Sequence, residues 1–482
     1  MSAALDDNQA RSNGHTGAHR SYKGLPPLAG LATVDEAAKA GLSVDACVAR
    51  HKRYHYAFVR LHEIFTARIT AEPIYELKTG FSHHAYLCAE HVESLRRRVA
   101  EMREPPLGLE EVPNASVRLL FDEILAAPTT AELLVGLYEV ALPAVDEALA
   151  RHIAETNPLT DAPSVRLCRF ARLELADMIA FGRQCIACLV GEAALDKMRL
   201  WVDALRQCAR TLHTTEPAIP LPALSRRQYV YDSTPRRDER FQDLFNQGVN
   251  AEAFLYHPDM PPRPKTLMLL FKRLREINVP EVMASIIYET KGKPWAYYLD
   301  MSRQLWDEAR HAMMGEVGFV ALGVDWTKAC ISHHWGLHLN TECTPIERHA
   351  VLYLIEQELM RKTGKRYEWE VARESGLPLM ATIQDYDWAD EVLHTQMGRQ
   401  WYVPQIGDWK QALAYGDQCW SRILSNWMMV REQGQTSQEN WWPNIYRQAC
   451  RGWGVEPDLK VLGFSQTYEN SQADLKTLSG SA

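Results

Sequence analysis

Apolar residues recur at three- and four-residue steps through most of the chain, which is the spacing of one face of an α-helix. "VARHKRYHYAFVRLHEIFTARI", "TAELLVGLYEVALPAVDEALARHIAE" and "SVRLCRFARLELADMIAFGRQCIACLV" carry the pattern in the first half. "PEVMASIIYETKGK", "WAYYLDMSRQLWDEARHAMMGEVGFVAL", "PIERHAVLYLIEQELMRK" and "LMATIQDYDWADEVLHTQMGRQW" carry it in the second. Few windows alternate with period two, so an all-α fold without a substantial sheet is predicted. Proline and glycine fall mainly between the periodic stretches. These breaks divide the chain into a polar leader over 1–45, a helical unit over 46–213 and a proline-rich connection over 214–264. A second helical unit over 265–405 and a tryptophan-rich helical extension and tail over 406–482 complete it.

Composition changes this picture little. The chain has 482 residues, 46% of them hydrophobic and 24% charged, which is long enough for two compact units of ordinary globular make-up. A formal charge of −8 with mixed signs argues against a nucleic-acid surface. No apolar run reaches membrane-spanning length, and the first residues lack a signal-peptide core. A cytoplasmic protein is expected. Ten cysteines are scattered without framework spacing.

Chemistry enters with a repeat. "LWDEARH" and "DWADEVLH" each place Asp-Glu-x-x-His inside a predicted helix, about eighty residues apart. Residues three apart share a helix face. Glu308 and His311 therefore converge on one spot, and so do Glu391 and His394. One carboxylate and one imidazole per helix make half of a two-metal site, which a four-helix bundle completes with a glutamate from each remaining helix. Such oxygen and nitrogen donors suit iron or manganese. Asp307 and Asp390 are expected to accept the outer N–H of a ligand histidine and fix its tautomer.

The two further glutamates are sought on the preceding helices. Across the "KGKP" turn, Glu281 stands nearly level with Glu308, about three residues or roughly 4.5 Å offset along the axis. Glu276 and Glu289 compete, but Glu289 sits close to the turn and Glu276 precedes Pro280, a helix-start signal. Glu281 is preferred. In "YLIEQELMRK", Glu356 and Glu358 lie about 200° apart round the helix. Glu358 shares a face with Leu354, Val351 and Glu347 and is preferred, with Glu356 and Glu347 left open.

On "PEVMASI", "DEARHAMMGEVGFVALGVD", "HWGLH", "EQELMRKTG" and "DEVLHTQMGRQW", the segment from about Val279 to Gln405 resembles the ferritin-like di-iron carboxylate proteins. It resembles in particular a bacterial ferritin-like family of largely undefined activity. By position, Glu281, Glu308, His311, Glu358, Glu391 and His394 fall on that ligand pattern. The resemblance covers roughly a quarter of the chain. It implies a ferritin-like four-helix bundle in the C-terminal half holding two metal ions, commonly iron, with manganese as the alternative. Dioxygen is the expected co-substrate if the centre is that of an oxidase or oxygenase.

The expected activity is that of a di-iron oxidase or oxygenase on an unidentified small organic molecule, with electrons delivered by an external donor. The expected liners of a dry, apolar cavity beside the metals are Ile286, Tyr298, Met301, Leu305, Leu354 and Ile383. Iron oxidation and storage, or a non-enzymatic helical scaffold, are the alternatives. The first helical unit echoes the spacing through Glu63, Glu90, Glu139 and Glu174, but Glu93 and Asp177 stand where histidines belong. It is read as a degenerate bundle that lost its metal.

Overall fold

The structure is a computed structural model that describes residues 21–103, 108–212, 225, 227–241, 245–425, 432–434 and 439–468. Among these residues all regular structure is helical. The longer helices of the first half are α1 (Val44–Ala71), α2 (Tyr75–Glu101), α3 (Ala115–Leu125), α4 (Leu142–Glu155), α5 (Ala162–Leu189) and α6 (Glu192–Ala209). Those of the second half are α7 (Pro262–Arg275), α8 (Asn278–Glu289), α9 (Trp295–Ala321), α10 (His334–Glu342), α11 (Pro345–Leu359), α12 (Lys365–Glu374), α13 (Pro378–Trp401), α14 (Trp409–Ser425) and α15 (Trp442–Trp453). No described helix is long and apolar enough to cross a membrane.

Local chemistry sets several boundaries. Ser43 caps α1 by accepting from the Ala46 amide, and Asn114 caps α3 through Val117. "TAELLVGLYEVALPAVDEALARHIAE" is expected as one helix. It is instead a short α-helix, a π-helical turn over Gly136–Ala141, and α4. Pro143 has no amide proton to give the carbonyl four residues back, and the π turn lies where that bond is missing. Within 1–45, Thr33 and Glu36 form a capping box on a single helical turn, Val34–Ala37; residues 1–20 of that leader lie outside the described residues.

One buried core runs through both halves. It joins Tyr54–Ile69 of α1 and Leu77–Leu95 of α2 to Val279–Ile287 of α8 and to Met301 and Leu305 of α9. The described part of the connection lies across this junction. The Tyr229 hydroxyl donates to the Ala67 carbonyl at 3.0 Å, and Tyr231 stacks on Tyr288 with ring centroids 4.3 Å apart. Ser233 donates to the Asn340 carbonyl at 3.0 Å. A second buried cluster packs α7 against α15 and the C-terminal segment, where Trp441 and Trp442 are fully enclosed.

A close approach of α7 to α9 sets the place of Glu276, the residue that ends α7. Gly315 and Gly318 of α9 face α7 so closely that a Cβ on Gly315 would lie 2.5 Å from the Leu274 amide nitrogen. Without side chains at these two positions, the C-terminal end of α7 comes down over His311.

Candidate metal centre

Four helical segments converge on one buried cluster. Its members are Glu276 at the end of α7, Glu308 and His311 on α9, Glu356 on α11, and Asp387, Glu391 and His394 on α13. They form two overlapping donor groups. One is Glu276, His311, Asp387 and Glu391; the other is Glu308, Glu356, Glu391 and His394. Within each, the donor atoms lie within 4.8 Å of one another, and Glu391 belongs to both. The rings of His311 and His394 are 5.9 Å apart.

The two aspartates hold the histidines crosswise. His394 Nε2 is 3.3 Å from Asp307, on α9, and His311 Nε2 is 3.2 Å from Asp390, on α13. Each aspartate thus serves the imidazole of the opposite helix. Arg310 bridges both carboxylates and Arg303 donates to Asp307 at 2.9 Å. With Nε2 engaged outward, Nδ1 of each ring points into the cluster. His394 Nδ1 lies 3.2 Å from Glu308, and His311 Nδ1 lies 3.5 Å from Glu276.

These inner atoms provide the test of whether a metal fits. His311 Nδ1, His394 Nδ1, Glu276 Oε2 and Glu391 Oε2 are all buried without a hydrogen-bond partner. Buried polar atoms are normally paired, and orphaned ones call for a missing partner. Two imidazole lone pairs and two carboxylate oxygens facing one another are the donors a divalent ion takes. The residues fit such an ion.

Electrostatics in the bare cluster is correspondingly extreme. Burial opposes charge on His311, but Asp390, Glu276 and Glu308 outweigh it and push the imidazole up to about 10; at His394 Asp307, Glu308 and Glu391 likewise outweigh burial and hold it well above its usual range. Burial pushes Glu356 well up, assisted by Glu391 and Glu308 and opposed by His394. Burial works to raise Glu391 too, but Lys365 and the two histidines hold it well below the carboxylate range. A bound cation would replace the protons on the imidazoles.

The preferred partner glutamates are not the ones that converge. Glu281, fully buried on α8, turns the other way. It pairs with Lys78 of α2 at 2.7 Å and with Arg237 at 2.7 Å, tying the halves together. Being level with Glu308 fixes height along the helix but not rotation about it. Glu276 lies at the C-cap of α7, before the helix break that counted against it, and this break turns it toward His311. Glu358 is half-exposed and pairs with Arg361 on the surface, whereas Glu356 is buried in the cluster. Glu347 caps α11 through Thr344. Glu308, His311, Glu391 and His394 come together as expected, with Asp307 and Asp390 behind the histidines.

Three participants escaped the sequence reading. Asp387 had a signal, because the repeat extends three residues upstream as Gln304-x-x-Asp307-Glu308-x-x-His311 and Asp387-x-x-Asp390-Glu391-x-x-His394. Gln304 occupies the matching place and donates to Glu356. Arg273 and Lys365 had none. Both are fully enclosed beside the cluster. Lys365 Nζ is 2.9 Å from both Asp387 and Glu391, and Arg273 pairs with Asp387 and, at 2.8 Å, with Glu276.

A cavity of about 630 Å³ reaches the cluster at Glu276, Glu308, Glu356 and Glu391. Its walls are mainly apolar: Val279, Leu352, Ile355, Leu359, Leu424 and the indoles of Trp335 and Trp420, 6.0 Å apart. Part of the lining is polar, where Arg275 binds Glu252 at 2.6 Å and the Tyr468 hydroxyl at 2.7 Å. Of the liners expected beside the metals (Ile286, Tyr298, Met301, Leu305, Leu354 and Ile383), none borders this cavity.

Compared with protein-family models, with curated proteins and with solved structures, the chain finds no match.

Proposed function

We propose that this chain is a di-metal carboxylate oxidase or oxygenase of ferritin-like type, acting on a small, largely apolar organic molecule. The observation that carries the reading is the set of four orphaned donor atoms, two imidazole Nδ1 and two carboxylate oxygens, gathered at the end of an apolar cavity. Glu276, His311, Asp387 and Glu391 would hold one ion, and Glu308, Glu356, Glu391 and His394 the other. Iron is the expected metal and manganese the alternative. A pair of such ions would supply the redox capacity for dioxygen chemistry, with electrons from an external donor.

The remaining work falls to the protein. Asp307 and Asp390 keep each Nε2 protonated and each Nδ1 lone pair turned inward. Val279, Leu352, Ile355, Trp335 and Trp420 take the apolar body of the substrate and displace water from its path to the cluster.

A second reading has one observation in its favour. Arg273 and Lys365 already offset part of the charge of Glu276, Glu308, Glu356, Asp387 and Glu391, as in a metal-free scaffold. Metal analysis separates the two. The wild-type chain is expected to bind Fe(II) anaerobically and to consume oxygen on exposure to it. Glu391→Ala and His394→Ala are each expected to lose bound metal while the helical circular-dichroism spectrum persists. Unchanged metal content in both variants rejects the proposal.

A further inference from the structure

The two donor groups are related by the repeat, but their surroundings are not. Around Glu308, Glu356 and His394 the neighbour is neutral: Gln304 donates its amide to Glu356. Tyr353 stands three residues before Glu356, as Arg273 stands three before Glu276. Around Glu276, His311 and Asp387 the neighbours are cationic. Lys365 lies 2.9 Å from Asp387 and 3.9 Å from Glu276, and Arg273 contacts both carboxylates. Lys365 also reaches the shared Glu391 from this side, at 2.9 Å.

Two fixed positive charges beside one position lower its affinity for a divalent ion in two ways. They repel the ion directly, and in a buried site that repulsion is weakly screened. They also occupy carboxylate oxygens that the ion would otherwise take. Neither effect acts at full strength on the other position: among the described contacts Glu308 and Glu356 make no ion pair with a lysine or arginine, and Arg273 and Lys365 act on them only from farther away.

Resting on the di-metal reading above, we propose that the two metal positions are unequal and fill in order. The Glu308–Glu356–Glu391–His394 position is the tight one. The Glu276–His311–Asp387–Glu391 position is held by Lys365 and Arg273 and accepts its ion only when those side chains give up their carboxylates. The chain therefore passes through a stable one-metal form, and Lys365 sets the concentration at which the second ion enters.

The test is anaerobic titration of the full-length protein with Mn²⁺, reading free ion and the spin-coupled pair by electron paramagnetic resonance. The wild type is expected to bind one equivalent at least about tenfold more tightly than a second. The coupled signal should appear only with the second. Lys365→Met should tighten the second equivalent about tenfold or more and leave the first unchanged. Lys365→Arg should behave as wild type. Arg273→Gln should shift the second phase in the same direction as Lys365→Met and carries the test if that variant does not fold. His394→Ala should abolish the tight phase. Two equivalents of equal affinity in the wild type overturn the inference while leaving the di-metal reading intact. So does an unmoved second phase in folded variants at both positions. No Mn²⁺ or Fe²⁺ bound by the wild type overturns the di-metal reading itself and the inference with it.

Discussion

Glu63, Glu90, Glu139 and Glu174 in the first half have nearly the spacing of the glutamates of the second, yet the two sets face in different directions. Glu63 pairs with Arg60 on its own helix, Glu139 with Arg183 and Glu174 with His91, all partly exposed. The interior between α1, α2 and the π turn is filled by Phe58, Phe65, Phe81, Tyr138 and His84. Another group, Cys47, His152 and Asp161, gathers at the end of the first half. Its aspartate is already engaged by Thr156 at 2.8 Å and Arg98 at 2.9 Å. In the second half Glu276, Glu308, Glu356 and Glu391 point into one cluster, and Glu276 and Glu391 each keep an oxygen without a hydrogen-bond partner. Helix spacing is compatible with both outcomes. Which residue types lie on the facing helices decides between a dry apolar interior and a charged one.

The buried histidines make this difference measurable. Burial lowers His51 and His84 to about 3 and His55 and His62 to about 4 in the folded first half. Below the unfolded value of 6.5 the unfolded chain takes up protons that the folded one refuses. Their contribution is present above pH 6.5 and is lost as pH falls, up to about 1.4 kcal/mol per pH unit for each. His311 has the opposite sign. Its value near 10 means that in metal-free protein its contribution is complete below 6.5 and is lost as pH rises toward 10. Urea unfolding followed by circular dichroism should therefore show the largest loss, several kcal/mol, between about pH 6.5 and 4. His51→Gln should flatten that limb without touching the alkaline one.

The next effect concerns the seam between the halves. Glu281→Ala leaves Lys78 and Arg237 buried without their carboxylate and should cost about 3–5 kcal/mol in urea unfolding. Metal content of the folded fraction should not change; a matching loss of bound metal would return Glu281 to the centre. Smaller again, Asp307→Asn should weaken metal binding by about 10–100-fold through loss of orientation at His394, read by competition with a chelator. The smallest is Glu358→Ala, an exposed pair with Arg361. It should change stability by no more than about 0.5 kcal/mol and leave metal content intact, while Glu356→Ala removes metal.

What could be read from the chain obeys the same division. The all-helical fold and the two Asp-Glu-x-x-His faces depend on local spacing, and both are present in the structure. Rotation of one helix against another does not depend on local spacing, and there the expected and observed glutamates differ. On α11 every residue from Arg348 to Leu354 is buried, so no apolar stripe marks which face meets the cluster. Glu276 lies at a helix junction, where neither face nor height carries over from the neighbouring helices. Lys365 reaches α13 from the first residue of the helix before it, and Arg273 reaches Asp387 from α7; a lone cation in a sequence has no pattern to announce either contact.

The crosswise attachment of Asp307 to His394 and of Asp390 to His311 has a mechanical corollary. Sliding α9 along α13 by a single turn would detach both imidazoles together at Nε2, since each of these contacts is made from the facing helix. The pair behaves as a keyed joint with one seating. Damage to that seating is expected as abrupt loss of both ring orientations, not as gradual loosening of one.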